Sequence, residues 1–184
     1  MKLCFSILIV AILTVSGCKS EISKEKREIV ELINQKVAQI DHNHRVSIID
    51  EDHRVGDSLY KVRGYFVGDK MLKIIGILRT PHFERDDYFY FEDHEPIFSG
   101  HMINFMDERL AEEFKYYYDG SEITEALFWE DHYQEGARFP HEHFKEFKPN
   151  QDSLLQSERQ RLLLFLTLLD KRGVEIKHLN ENLN

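Results

Sequence analysis

Ser58-Leu59-Tyr60-Lys61-Val62-Arg63-Gly64-Tyr65-Phe66-Val67, then Gly68-Asp69, then Lys70-Met71-Leu72-Lys73-Ile74-Ile75-Gly76-Ile77-Leu78-Arg79, reads as strand, two-residue turn, strand. Tyr60, Val62 and Phe66 fall on one face of the first run, and Leu59, Tyr65 and Val67 on the other, as period-two alternation requires. Gly68 supplies the turn because it takes positive φ without a Cβ clash. Apolar residues on both faces mean that the sheet is covered by at least one helix. Working outward, Asp87–Glu92 and Ile97–Asn104 form a second hairpin with Pro96 near its turn. Glu113–Tyr118 and Glu122–Glu130 form a third around Asp119-Gly120-Ser121. Arg45–Asp50 is expected to be a first strand, and Asp107–Glu113 a single helical turn between hairpins.

Helical periodicity brackets this β-rich centre. Ile29, Ile33, Val37 and Ile40, with Val30 and Leu32 beside them, place an amphipathic helix at 22–41, capped by Ser23 and ended by Asp41-His42-Asn43-His44. Residues 133–152, with Gly136, Pro140 and Pro149, read as a long surface loop. A C-terminal helix is expected at 153–171, with Asp152 or Ser153 as cap, Gln156 closing a capping box and Gly173 ending it. The run Leu162–Leu169 is apolar at all but Thr167, which requires burial, yet it is far too short to cross a bilayer. The fold class is therefore α+β: an antiparallel meander sheet flanked by an N-terminal and a C-terminal helix. It forms one domain over 28–179, followed by a frayed tail at 180–184.

Glu-Asp-His recurs at 51–53, 92–94 and 130–132. It reads either as a duplicated hairpin unit or as solvated charge at the ends of strands.

The chain has 184 residues with 33 acidic and 24 basic side chains, a net charge of −9. That balance argues against a nucleic-acid partner, because phosphate binding needs a basic stripe. The N-terminus opens Met1-Lys2, runs apolar from Leu3 to Val15, and breaks at small residues. About 13 apolar residues are too few for a spanning helix and suit a secretory signal. Val15-Ser16-Gly17-Cys18 resembles the lipobox of bacterial lipoproteins. The resemblance implies removal of 1–17, a diacylglycerol on the Cys18 thiol, acylation of the new amino terminus, and a short tether at 18–27. It places the chain in the cell envelope, held to a membrane by its lipids. In lipoproteins of the enteric type, a residue such as Lys19 after the cysteine favours the outer membrane. Cys4 lies in the removed segment, so the mature chain holds neither a disulfide nor a cysteine nucleophile.

Tyr65-Phe66-Val67-Gly68-Asp69-Lys70-Met71-Leu72 and Phe114-Lys115-Tyr116-Tyr117-Tyr118-Asp119-Gly120-Ser121-Glu122-Ile123 are similar to strand–turn–strand phrases of small uncharacterised envelope lipoproteins. That likeness covers about residues 58–130 and implies a fold and a location, with no activity.

His132, Glu135, His141 and His143 offer imidazole and carboxylate donors of the kind Zn²⁺ takes. Their spacing matches no zinc signature, and a solvated loop accounts for them equally. No other cofactor is expected: no phosphate-cradling glycine loop, Gly-x-Ser-x-Gly or His-Glu-x-x-His occurs. The Glu-Asp-His triplets could serve as acid–base pairs, but no nucleophile accompanies them. Tyr88–Phe91 and Tyr116–Tyr118 are either a stacking platform or strand core. Core is expected for Phe89, Phe91 and Trp129, while Tyr117 stays open. No catalytic set is expected. The reading is a lipid-anchored, non-enzymatic envelope protein that binds a protein partner. The other readings are an inhibitor- or immunity-like lipoprotein whose acidic face covers a basic toxin, a His-rich metal protein or enzyme, and a carbohydrate-binding module.

Overall fold

The structure, a computed structural model, describes residues 18–132 and 144–170, with side chains from residue 24 onward. Helix α1 (Cys18–Asp41) precedes eight strands: β1 (Ser47–Val55), β2 (Ser58–Val67), β3 (Lys70–Arg79), β4 (Phe83–Glu92), β5 (Glu95–Phe105), β6 (Leu110–Asp119), β7 (Glu122–His132) and β8 (Lys145–Glu146). Helix α2 (Gln151–Leu168) follows. The strands lie in chain order in one sheet, and every neighbouring pair is antiparallel. This is the expected α+β meander with a helix before it and a helix after it.

Three hairpins carry the same device. The register slips by one residue at Tyr65/Phe66, at Tyr90/Phe91 and at Tyr117/Tyr118, each just before a tight turn. Each bulge carries two consecutive aromatic residues, and as neighbours on a strand the first faces one helix and the second the other. Tyr90 and Tyr117 join the α1 cluster, while Phe66 and Phe91 pack with α2. Gly68 and Gly120 take the left-handed conformation at φ 59° and 60°, whereas the β4–β5 turn puts Asp93 and His94 there instead. The structural repeat is thus this hairpin and not the Glu-Asp-His triplet. The triplets fall inside β1, across the β4–β5 turn and at the end of β7, three unrelated settings.

Both helices cross the strands. Along α2, Gln151 Nε2 donates to the Ile123 carbonyl (3.3 Å) on β7, and Ser99 Oγ on β5 donates to Glu158 (2.9 Å). Arg161 then meets Asp87 on β4 (3.2 Å), Phe165 covers Gly76 on β3, and Leu169 lies against Gly64 on β2. His53 Nε2 on β1 reaches the Leu168 carbonyl at 2.9 Å. About 27 Å of helix thus spans six strand spacings, about 29 Å. Val62, Ile74, Phe89 and Phe91 below, with Leu162, Phe165, Leu166 and Leu169 above, form the main core. Each such side chain contributes roughly 1.5–3 kcal/mol.

The opposite face takes α1. Ile33 is buried with Tyr90, Phe98 and Tyr117, and Ile29, Val37 and Ile40 pack around them. Lys26 pairs with Glu125 (3.8 Å) on β7, Tyr117 donates to Asn34 (3.2 Å), and Lys73 on β3 donates to Asp41 (2.6 Å). Helix α1 therefore runs from β7 to β3 and stops short of β1.

Several boundaries differ from the sequence reading. The first strand is 47–55 and not 45–50, so Glu51-Asp52-His53 lies within it. Residues 107–113 form no helical turn: Arg109 turns the chain at φ 52° and β6 starts at Leu110. Ala111 and Glu113 are buried in the sheet instead. Ser23 lies inside α1 rather than capping it, because the Glu, Lys and Arg of the stretch read as a tether are good helix formers. The 133–152 loop contains β8 and the first two residues of α2. The α2 cap is Asn150, whose side chain accepts from Ser153 N at 3.0 Å, in place of Asp152 or Ser153. Asn150→Ala should accordingly lower stability by about 1 kcal/mol in urea unfolding. The helix ends at Leu168, and 171–184, with Gly173 and the 180–184 tail, lies outside the described residues, as does the signal at 1–17.

Candidate functional site

The sheet register sets the open surface. On the α1 side, Asp50, Arg63, Ile75 and Tyr88 form one row across β1–β4, and Asp52, Lys61, Ile77 and Asp86 the next. These rows run beyond the strip that α1 covers. Asp50, Asp52, Lys61, Arg63, Ile75 and Ile77 line a groove of about 450 Å³. Its rim is ion-paired. Arg63 Nε donates to Asp50 at 2.9 Å, and Lys61 lies 3.0 Å from Asp52. One step along, Arg79 holds Glu84 with two bonds of 3.0 Å.

Farther across the same face, the Tyr88 hydroxyl donates to Glu113 (3.1 Å), and Lys115 lies 3.3 Å from that carboxylate. Burial and the Glu113 charge push the Tyr88 phenol far above its ordinary range, so it stays a donor. Lys115 also sits over the Phe144 ring at 3.9 Å. At the end of α1, Lys73 is desolvated, yet its bonds to Asp41 and Tyr90 hold it above the usual lysine value.

The α2 side holds a second polar group, enclosed between helix and sheet. Asp87, 4% exposed, takes three contacts of 2.8–3.0 Å from Arg85. Arg161 lies between Asp87 and Glu158. Tyr118 and Ser99 are 2.7 Å apart, and the Ser99 hydroxyl donates a hydrogen bond to Glu158 at 2.9 Å. His101 stacks on Phe114 at 4.6 Å between centroids, and its Nδ1 has no hydrogen-bond partner. Burial and the two guanidinium charges lower its pKa to about 2. Burial raises the Asp87 carboxyl against the pull of Arg85 and Arg161. The four charges balance two against two, so this group fastens α2 to the sheet and presents no net charge to a ligand.

The residues singled out by sequence divide as follows. His132 is exposed at the end of β7, opposite Leu110, while Glu135, His141 and His143 lie outside the described residues. Among the described residues, no three His, Cys, Asp or Glu side chains come close enough to hold a metal ion. Cys18 is the first residue of α1. Phe89, Phe91 and Trp129 are buried as expected, and Tyr117 is buried too, beneath α1. The aromatic runs therefore form no open stacking platform, because their rings lie under the helices. Of the triplets, His53 ties β1 to the end of α2. The β1–β3 groove was missed, because Asp50, Asp52, Lys61 and Arg63 look like ordinary surface charge until the register pairs them.

No family model matches the chain, and no curated protein matches it. What the fold defines is a class by architecture: a meander sheet clamped between two crossing helices, with an ion-paired groove near its β1 edge.

Proposed function

We propose that the chain is a lipid-anchored cell-envelope protein that binds a protein partner through its sheet and carries out no chemistry itself. The observation that carries this reading is the course of α1. It begins at Cys18, sits over β7 and β8 through Lys26, Glu125 and Glu146, and ends at β3. A lipid on Cys18 would hold the β7–β8 edge toward the membrane. The β1 edge and its groove would then face away, several strand spacings out. An anchor of more than one acyl chain would hold firmly where a single chain is marginal.

Two measurements test this reading together. Expression in bacteria with an alkyne fatty acid in the medium should label the chain, and Cys18→Ala should abolish the label. Cross-linking in living cells through a C-terminal tag should then recover one near-stoichiometric envelope protein, lost with Cys18→Ala. Label persisting in the alanine variant would overturn the anchor. A labelled protein with no cross-linked partner would overturn the binding role.

A further inference from the structure

Two satisfied acid–base couples line the groove over β1–β3, Asp50 with Arg63 and Asp52 with Lys61, and a third, Glu84 with Arg79, lies beside it on β3 and β4. A fourth acid on this face has no such couple. Asp86 stands directly across from Ile77 and makes no ion pair among the described residues. Its Oδ1 is withdrawn from water and accepts no hydrogen bond. Burial and the neighbouring Glu84 charge raise its carboxyl, and Arg79, already committed to Glu84, offsets this only in part.

We propose that this groove docks a basic, extended segment of a protein partner, with a Lys or Arg of that segment against Asp86 and apolar side chains on Ile75 and Ile77. The proposal deepens the partner-binding reading and rests on it for the partner's location, while its chemistry stands on β1–β4. Asp86 has already lost much of its hydration in the free protein. An incoming cation therefore gains the attraction without the full desolvation cost that usually cancels it. An anionic segment finds no such opening, since Lys61, Arg63 and Arg79 are each neutralised. Asp50, Asp52, Lys61 and Arg63 all remain substantially solvent-exposed, so the rim is accessible. The chain's net charge of −9 favours the approach of a basic partner.

The test uses the full-length, ¹⁵N-labelled chain in a nonionic detergent. It is titrated with a blocked heptapeptide of alternating valine and lysine, and with its valine–glutamate counterpart. Saturable amide shifts are expected at 50–52, 61–63, 75–77 and 86 with the lysine peptide alone. Asp86→Asn should weaken binding about tenfold with the rest of the spectrum unchanged, because the charge it removes is one the fold does not need. Asp86→Lys should transfer binding to the glutamate peptide. Shifts scattered over the whole acidic surface, equal affinity in Asp86→Asn, or no binding of either peptide would each overturn the proposal. The titration needs no lipid. Its failure leaves the fatty-acid labelling result intact, and loss of that label leaves the titration interpretable.

Discussion

Gly76→Val should lower the stability of this protein by about 3 kcal/mol or more, at the upper end of what overpacking a core costs. The Phe165 ring of α2 rests directly on Gly76. A Cβ there would overlap the ring, with Cε2 only 2.6 Å away. Phe165 is itself 4% exposed and packs edge-on against Phe89 at 6.2 Å, so it has no free space to enter. Against the roughly 5–15 kcal/mol that holds a domain folded, the loss is severe. Gly68→Ala is the control. Nothing lies within 4 Å of its Cβ position, and only the positive φ resists the change, at about 1 kcal/mol. A double-mutant cycle isolates the contact: with Phe165→Ala already present, Gly76→Ala should cost almost nothing, whereas in the native background it should be strongly destabilising. Urea unfolding of the four proteins supplies the numbers. Additive effects would mean that the ring and the glycine do not meet as described.

The same contact shows where sequence reading reaches its limit. Alternation in 58–79 and the turn at Gly68 are local signals, and the hairpin follows from them. Gly76 offers no local signal at all, since its purpose lies with a phenylalanine 89 positions later. Asp87 looks like solvated charge for the same reason: besides Arg85 its partner is Arg161, from the other end of the chain. The helices were legible from period and composition. Their course across the sheet was not, because it depends on which sheet residues are small enough to pass beneath. Strand ends at 50 and 87 read short where charge enters the pattern, though Asp52 and Asp86 belong to the ladder as fully as Val62. Cys18, through a motif of four residues, and the set His132, His141 and His143 are the site residues that sequence alone proposes.

Stability should fall steeply as pH drops below about 6.5, with His101 as the cause. The ring is 8% exposed, on β5, and stacks on Phe114 of β6. Arg85 of β4 and Arg161 of α2 repel a proton on it, and Asp87 and Glu158 are already committed to those arginines. Its folded pKa is depressed to about 2 from the ordinary 6.5. The sign follows from linkage: the unfolded chain binds the proton first, so the stabilisation is complete above about 6.5 and is lost as pH falls toward 2. Each pH unit in that window removes up to about 1.4 kcal/mol, or roughly 3 kcal/mol by pH 4. Asp87 acts in the opposite direction at the acidic end. Its raised carboxyl binds a proton in the folded state before the unfolded one, which restores part of the loss as pH falls toward 3.8. His101→Phe keeps a flat ring on Phe114 and removes the titration. Its urea midpoint should therefore change little between pH 7.5 and 5, where the native protein loses about 2 kcal/mol. Equal slopes for the two proteins would mean that the acid sensitivity arises elsewhere and that His101 is not enclosed between the two arginines.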